Sequence, residues 1–208
     1  MELYIIRHGR TKWNKIKRLQ GSTDIPLMEE GREMAAMTAF GLKEVQFDAV
    51  YSSPLERAYE TARIITGDRN IGIQADIRLK EISFGILEGE TVDYVINETF
   101  SKEQGVLFTH PERYVPPEGG ESLEALCNRA SDFLTDIQTK HCGKDRVLIV
   151  AHGAVNKAIL KCIMRLDMKD FWSGEVQKNC GVTIINIDGS HYEVIASGKI
   201  FYTMENGL

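Results

Sequence analysis

The chain has 208 residues, of which 43% are hydrophobic and 26% are charged, and its formal net charge is −5. This composition is typical of a globular protein with one substantial core. The acidic balance and the lack of a basic block argue against a nucleic-acid partner, and the longest apolar runs are too short to span a membrane. We expect one domain over residues 1–208 in the cytoplasm, since strand-like sequence from Leu3 leaves no room for a signal peptide.

The order of apolar patterns predicts an α/β fold with a mostly parallel sheet, because strands and helices alternate. The predicted elements are, in chain order, a strand over 3–7, a helix from 28 or 29 to 42, a strand over 49–52, a helix after 53, a strand over 71–75, a short helix over 91–100, a helix over 122–139, a strand over 147–151, a helix to about 164, and strands over 182–187 and 192–196. The segment Asp188-Gly189-Ser190 signals a hairpin, so an antiparallel element is expected near the sheet edge. Residues from about 88 to 120 form a predicted cap insertion.

The helix after residue 53 has a clear predicted start. Ser53 and Glu56 match a capping box, and Pro54 suits the first helical position. Arg57 then falls in the opening turn, where free backbone N–H groups already attract anions. This position predicts a site for a negatively charged group, although on its own it also fits a surface arginine on an ordinary helix.

Two predicted strands are followed by the same pair of residues. His8-Gly9 follows the first strand and its last residue Arg7, and His152-Gly153 follows the strand over 147–151. The carboxyl ends of parallel strands meet at one edge of a sheet, where α/β proteins keep their ligand crevice. We therefore expect both histidines to share one site with Arg57. A histidine beside fixed positive charge can accept a phosphoryl group as a nucleophile.

Together with further motifs, these residues resemble the histidine phosphatase superfamily, the phosphoglycerate mutase-like proteins. The matching motifs, spread over essentially the whole chain, are Arg7-His8-Gly9 with Thr11 and Asn14, Leu19-Gln20-Gly21, Asp24-Ile25-Pro26-Leu27, Ser52-Ser53-Pro54-Leu55-Glu56-Arg57-Ala58, Leu79-Lys80-Glu81-Ile82, Phe84-Gly85, Glu88-Gly89, Gly119-Gly120-Glu121-Ser122 and Ala151-His152-Gly153. The resemblance implies a three-layer α/β/α sandwich. The resemblance is strongest to the short phosphatase branch of the family, which includes broad-specificity phosphatases and α-ribazole phosphatases.

The resemblance also implies roles for single residues. His8 is the expected nucleophile, which forms a phosphohistidine, and Glu81 is the expected proton donor. The other catalytic and phosphate-binding residues that the match implies are His152, Arg7, Arg57, Asn14, Gln20, Gly21 and Gly153. We expect no metal and no cofactor, because arginines supply the positive charge that phosphoryl transfer needs. Three positions depart from the family pattern and affect the expected substrate pocket, namely Arg10, Ser22 and Leu87.

The composition of the predicted cap bears on the choice between two activities. Residues 88 to 120 include seven acidic side chains, against only Lys102 and Arg113 as basic ones. A cap with this charge is a poor receptor for a bisphosphate, whereas glycolytic mutases of the family tend to have a longer insertion with adjacent arginines. We therefore predict a phosphomonoester hydrolase that acts on a small phosphorylated metabolite. The alternative is a cofactor-dependent phosphoglycerate mutase.

Two hypotheses from other classes stay open at this point. The fold could be a binding module without catalysis, since fold does not imply function. The other hypothesis is a metal site built from His8, His152 and Glu81, although flanking arginines would repel a cation.

The four cysteines lack metal-ligand spacing and are expected to be free thiols. No membrane or nucleic-acid partner is expected, and a homodimer is left open.

Overall fold

The computed structural model describes residues 1–97, 106–141 and 145–203. Its strands are β1 (Glu2–Arg7), β2 (Ala49–Ser52), β3 (Ile73–Ala75), β4 (Arg146–Ala151), β5 (Val182–Asp188) and β6 (His191–Lys199). Its helices are α1 (Lys12–Lys15), α2 (Glu29–Gly41), α3 (Glu56–Thr66), α4 (Val92–Asn97), α5 (Leu123–Lys140) and α6 (Gly153–Met164). Short 3-10 turns lie at 77–79, 85–87, 106–108, 111–113 and 168–170.

The predicted elements are all present, with small differences in extent. β3 begins at Ile73, two residues later than predicted, and β6 continues to Lys199. The predicted helix over 91–100 corresponds to α4, and its last three residues lie outside the described part of the chain. The predicted cap insertion is described at 88–97 and 106–120, where Val95 and Leu107 belong to the main hydrophobic core.

One six-stranded sheet positions the site, with the strand order β3-β2-β4-β1-β5-β6. The first four strands of the chain run parallel, whereas β5 is antiparallel to β1 and β6 is antiparallel to β5. The central strands β1 and β4 are apolar over most of their length and buried on both faces, as expected for a sheet covered by helices on each side. The predicted mixed sheet with an antiparallel edge is therefore confirmed.

Alternate residues of the central strands face two different helix layers. Leu3 and Ile5 of β1 share a core cluster with Phe133 of α5. Tyr4, on the opposite face of β1, shares a second cluster with Ala62 of α3. Because side chains alternate across a strand, this pattern places α5 and α6 on one face and α2 and α3 on the other. The three-layer sandwich is confirmed. Within the described residues, no helix has the length and apolarity needed to cross a membrane.

The predicted capping box at the start of α3 is wrong. The helix begins at Glu56 after Leu55, and Ser53 lies too early to cap it. The Glu56 N–H instead donates to Asp24 Oδ1 at 3.0 Å and Oδ2 at 2.9 Å, so a carboxylate from the loop between α1 and α2 caps the helix. Ser53 accepts the Leu55 N–H at 3.3 Å and turns its hydroxyl towards His152. The local pattern could not reveal a cap supplied from 32 residues away.

We expect Asp24→Ala to lower the free energy of unfolding by about 1 kcal/mol, the usual cost of losing a helix cap. Urea denaturation measures this loss. Glu33→Ala is the matched control, because Glu33 is exposed in the middle of α2. Equal stability of the two variants would show that Asp24 does not cap α3.

Candidate active site

The two histidines lie side by side at the carboxyl edge of the sheet. His8 follows β1 and His152 follows β4, and these strands pair in parallel with Arg7 opposite Ala151. The His8 N–H donates to the Ala151 carbonyl at 2.9 Å. As a result, the two imidazole centroids are 5.1 Å apart and both rings are buried. The structure thus brings together the two residues that the sequence placed at one edge.

The contacts of His8 leave one ring nitrogen for chemistry. Nδ1 lies 2.7 Å from the Gly9 carbonyl oxygen, which only accepts, so Nδ1 carries the proton. Nε2 therefore keeps its lone pair. Burial, Arg57 and Arg7 hold the pKa of His8 well below its usual value, although the bond to Gly9 acts in the opposite direction. The imidazole is neutral near pH 7, which is the state that a nucleophile requires.

His152 is neutral for similar reasons. Burial is the largest cause of its lowered pKa, followed by the charges of Arg57 and His8. Its Nε2 lies 2.8 Å from Ser53 Oγ, a contact that fixes the ring plane. Its Nδ1 is buried and has no hydrogen-bond partner among the described residues.

Arg57 is held by carbonyl oxygens inside the protein. Its side chain is fully buried. Nη2 donates to the Gly21 carbonyl at 2.7 Å and Nη1 to the Thr23 carbonyl at 2.9 Å. The Asp24 carboxylate lies 3.7 Å from Nη1. Burial lowers the pKa of Arg57 to about 10, and the charges of Glu81 and Asp24 oppose that shift. The guanidinium remains positive near pH 7.

Arg7 occupies the other side of the site. Its Nη1 donates to the Gln177 carbonyl at 2.8 Å, and burial lowers its pKa while the charge of Glu81 opposes the shift. Gly153 leaves this space open, because a Cβ there would lie 3.5 Å from Glu81 Oε2 and 3.8 Å from Arg7 Nε.

Several buried nitrogens of the predicted site share one property. Four of the six buried side-chain N or O atoms that lack a hydrogen-bond partner within the described residues belong to this site, namely Arg7 Nε, Gln20 Nε2, Arg57 Nε and His152 Nδ1. An unpaired buried polar group costs about 1–3 kcal/mol. An oxyanion with several acceptor oxygens would satisfy these nitrogens, whereas a cation would be repelled by the two guanidinium groups.

Glu81 is buried against the N-terminus of α6 and is not turned towards solvent. Its Oε2 accepts the Ala154 N–H at 2.9 Å, and its Oε1 accepts the N–H groups of Val155 and Ile82, each at 3.0 Å. The Ala154 and Val155 N–H groups are free donors of the N-terminus of α6, where a carboxylate is favourable. The carboxyl group is thereby fixed close enough to Arg7 and Arg57 for its charge to oppose the lowering of both guanidinium pKa values by burial.

Asn14 contributes less directly than expected. Its Oδ1 accepts the Thr11 N–H at 3.1 Å in the capping box of α1, and it also accepts from Asn179 Nδ2 at 3.2 Å. Asn179 Nδ2 in turn donates to the His8 carbonyl at 3.0 Å. Asn14 therefore orders the backbone behind His8, and its amide nitrogen is the group that it can offer to a phosphate.

Gln20 and Gly21 act through the loop that faces Arg57. Gln20 Oε1 accepts from Thr11 Oγ1 at 2.7 Å, which orients its unpaired Nε2. Gly21 presents its carbonyl to Arg57 and has no room for a side chain, because a Cβ would lie 2.3 Å from the Ile82 carbonyl oxygen and 2.4 Å from Glu88 Oε1. Gly21 therefore supports the arginine, whereas Gln20 keeps a buried amide nitrogen without a hydrogen-bond partner among the described residues.

Glu88 supports the site, although its motif Glu88-Gly89 predicted no role for the side chain. Glu88 Oε1 accepts the Ser22 N–H at 2.8 Å, and Oε2 accepts the Thr23 N–H at 2.7 Å and the Thr23 hydroxyl. This carboxylate thus fixes the loop whose carbonyls hold Arg57. The sequence motifs also did not predict Gln177, whose backbone carbonyl accepts from Arg7. No local sequence pattern indicates which backbone carbonyl will accept a hydrogen bond from a distant side chain.

The metal-site hypothesis finds no support in the geometry. Across the described ranges, no three His, Cys, Asp or Glu residues are grouped so that they could hold a metal ion. Cys127, Cys162 and Cys180 are free thiols, as expected, and Cys142 lies outside the described residues.

The mixed six-stranded sheet between two helix layers matches the fold of the phosphoglycerate mutase-like proteins. The chain belongs to the histidine phosphatase superfamily, branch 1, whose family model matches residues 3–199. The resemblance found in the sequence is therefore confirmed.

Named relatives include both phosphatases and mutases. The chain is 32% identical to phosphoserine phosphatase 1 of Hydrogenobacter thermophilus over 173 residues, which cover 83% of this chain and 81% of that protein. It is 29% identical to the probable phosphoglycerate mutase GpmB of Escherichia coli O1:K1 over 205 residues, 98% of this chain and 92% of that protein.

Solved structures share the whole fold. YhfR of Bacillus stearothermophilus is 36% identical with a TM-score of 0.87, and the match covers 96% of this chain and 97% of that one. The expected likeness to α-ribazole phosphatases is confirmed by the Shigella flexneri enzyme, which is 26% identical with a TM-score of 0.82 over 99% of this chain and 100% of that one.

We expect both site histidines to titrate below their ordinary pKa of 6.5. Arg57→Met should move both pKa values upwards, because the arginine is one of the causes of the shift. Heteronuclear NMR of the imidazoles measures these values, with Arg63→Met, exposed on the same helix, as the control.

The same shifts make stability depend on pH. Below pH 6.5 the unfolded chain takes up protons that the folded imidazoles do not bind, so the free energy of unfolding should fall as the pH decreases. A His8 pKa of 6.5 or more in the unaltered protein would contradict this account of the site.

Proposed function

We propose that the protein is a metal-independent phosphomonoester hydrolase that acts through a phosphohistidine at His8. The observation that carries this proposal is the set of four unpaired buried nitrogens, from Arg7, Gln20, Arg57 and His152. Their donors suit the equatorial oxygens of a phosphoryl group, over which negative charge spreads in the transition state. Membership of the histidine phosphatase superfamily supports the same chemistry.

The first half-reaction transfers the phosphoryl group to His8. Its Nε2 attacks phosphorus, a P–N bond forms, and the P–O bond to the leaving group breaks. The electron pair stays on the leaving oxygen, which takes a proton from Glu81. Because Nδ1 donates to the Gly9 carbonyl, the positive charge that develops on the ring is stabilised as it forms.

The second half-reaction returns the enzyme to its starting state. Water attacks phosphorus and gives a proton to Glu81, and the P–N electron pair returns to His8 Nε2. The sum is ester plus water giving alcohol plus inorganic phosphate. Glu81 accepts three N–H groups in the free protein, and these bonds hold its carboxyl group in one position for both proton transfers. The arginines supply the positive charge that a metal would otherwise provide.

The cap favours hydrolysis over isomerisation. Its described part contains five acidic residues and one basic residue, Arg113, so it offers little attraction to the second anionic group of a bisphosphate. The cofactor-dependent phosphoglycerate mutase stays the alternative, and the name of the GpmB relative supports it. We propose a small phosphorylated metabolite with one phosphate group as substrate, and a cytoplasmic location.

Hydrolysis is tested first with p-nitrophenyl phosphate and a panel of phosphate esters in the presence of a chelator. We expect inorganic phosphate at an undiminished rate, and a phosphate adduct on His8 when the reaction is quenched in base and examined by mass spectrometry. His8→Asn should abolish both, whereas His191→Asn, exposed on β6, should change neither. With 3-phosphoglycerate, formation of the 2-isomer in place of inorganic phosphate would favour the mutase.

Glu81→Gln tests the proton donor. We expect hydrolysis of an alkyl phosphate to fall about 100-fold or more, the usual contribution of a general acid. Nitrophenolate leaves without a proton, so p-nitrophenyl phosphate should still give a burst of one equivalent, followed by slow hydrolysis of the phosphohistidine. Glu124→Gln, exposed on α5, is the control. Absence of the burst with p-nitrophenyl phosphate would remove Glu81 from the role of proton donor, provided that the thermal unfolding temperature is unchanged.

A further inference from the structure

A second cavity lies behind the candidate active site, between the end of α6 and the start of β5. Its volume is about 550 Å³, which falls within the range of small-molecule sites. One wall is apolar, and its larger members are Leu160, Met164, Leu166, Phe171, Val176 and Ile200. The catalytic histidines and Arg57 do not line it.

The charged residues of this cavity are mostly cations. Lys157, Lys161 and Lys178 line it, against Glu175 as the acidic residue. This balance is opposite to that of the whole chain, whose net charge is −5. A cavity that is positive and partly apolar is suited to an anion with an apolar body.

Lys157 is the residue that marks the cavity as a binding site. Only 7% of its surface is exposed. Its ammonium group has three N–H donors, and the hydrogen bond that the structure gives it goes to the Ser173 carbonyl at 2.5 Å. Within the described part of the chain it forms no ion pair, and burial alone lowers its pKa. A buried cation with donors to spare is unfavourable unless an anion approaches it.

The cavity also touches the support of the phosphate site. Gln177 lines it, and its backbone carbonyl accepts from Arg7 Nη1 at 2.8 Å. The Gln177 side chain is fixed by Asn156, the neighbour of Lys157, at 2.8 Å, and by the Ile5 carbonyl at 3.0 Å. A ligand that moves residues 175–178 would therefore displace the Gln177 carbonyl that holds the Arg7 guanidinium.

We propose that this cavity is a second, non-catalytic site for a small organic anion with one anionic head and an apolar body. The head pairs with Lys157, and the body packs on the apolar wall. Occupancy of the cavity is coupled to the phosphate site through Gln177 and Arg7. The coupling rests on the proposed function, whereas the binding itself does not.

Hexane-1-sulfonate is a suitable probe, because it carries one anionic head and cannot be hydrolysed as a phosphate ester. Isothermal titration calorimetry of the whole protein should show one site. Lys157→Met should raise the Kd about tenfold or more, as expected for the loss of a charge-assisted hydrogen bond. Lys169→Met, whose lysine is exposed and does not line the cavity, should leave it unchanged. Sodium sulfate and hexan-1-ol, which supply head and body separately, should each bind more weakly.

A second variant guards against misfolding of the first. Val176 is 41% exposed at the cavity wall, so Val176→Asp should keep the fold, as checked by thermal unfolding, and weaken binding by repelling the anion. Unaltered affinity in both variants, or no binding to the unaltered protein, would overturn the proposal. Strict competition by orthovanadate would also overturn it, because the probe would then occupy the phosphate site.

The coupling has its own readout. Saturating orthovanadate should change the Kd of hexane-1-sulfonate without abolishing binding, and the sulfonate should change the affinity for vanadate by the same factor. An unchanged Kd would overturn the coupling through Gln177. If neither the protein nor its variants bind vanadate, the proposed phosphate site fails instead, and the calorimetry with Lys157→Met still decides on the cavity.

Discussion

The structure depends on how one fully buried guanidinium is held. Arg57 donates to two backbone carbonyls, and the Asp24 carboxylate is 3.7 Å away, so its charge is only partly compensated by the protein. Its carbonyl partners lie in the loop that Glu88 fixes, and Asp24 also caps the helix on which Arg57 stands. Leaving a buried cation short of a counter-charge is unfavourable for folding, but it prepares the site for an anion.

The protonation state of the two site histidines depends on this charge. Arg57 is the largest cause, after burial, of the lowered pKa values of both histidines. In the proposed reaction this charge keeps His8 unprotonated, while the Gly9 carbonyl leaves Nε2 as the nitrogen that would attack. The N-terminus of α6 holds the Glu81 carboxylate through backbone N–H groups, without using the arginine donors. His8, Arg57 and Glu81 thus each have their own backbone partners.

Helix α6 connects the two sites of the molecule. Its first turn fixes Glu81, and its next residues, Asn156 and Lys157, face the Gln177 segment and the second cavity. The proposed coupling from Lys157 to Arg7 would run through two hydrogen bonds, from Asn156 to the Gln177 side chain and from Arg7 to the Gln177 carbonyl. The same short segment that supplies the carbonyl for Arg7 forms part of the cavity wall.

The sheet and the residues at its carboxyl edge could be predicted from local patterns. Apolar runs followed by His8-Gly9 and His152-Gly153 are such patterns, and the geometry of parallel strands then brings their ends together. The motifs also identified Arg57 and Glu81. The partners of these residues became known from the folded chain alone: Asp24 in place of Ser53 as the cap of α3, Glu88 as the support of the loop, and Gln177 behind Arg7. The folded chain likewise decided the burial of Lys157, which a sequence places on an ordinary helix. These contacts join residues far apart in the chain, often through backbone atoms, and backbone atoms leave no pattern in an amino-acid sequence.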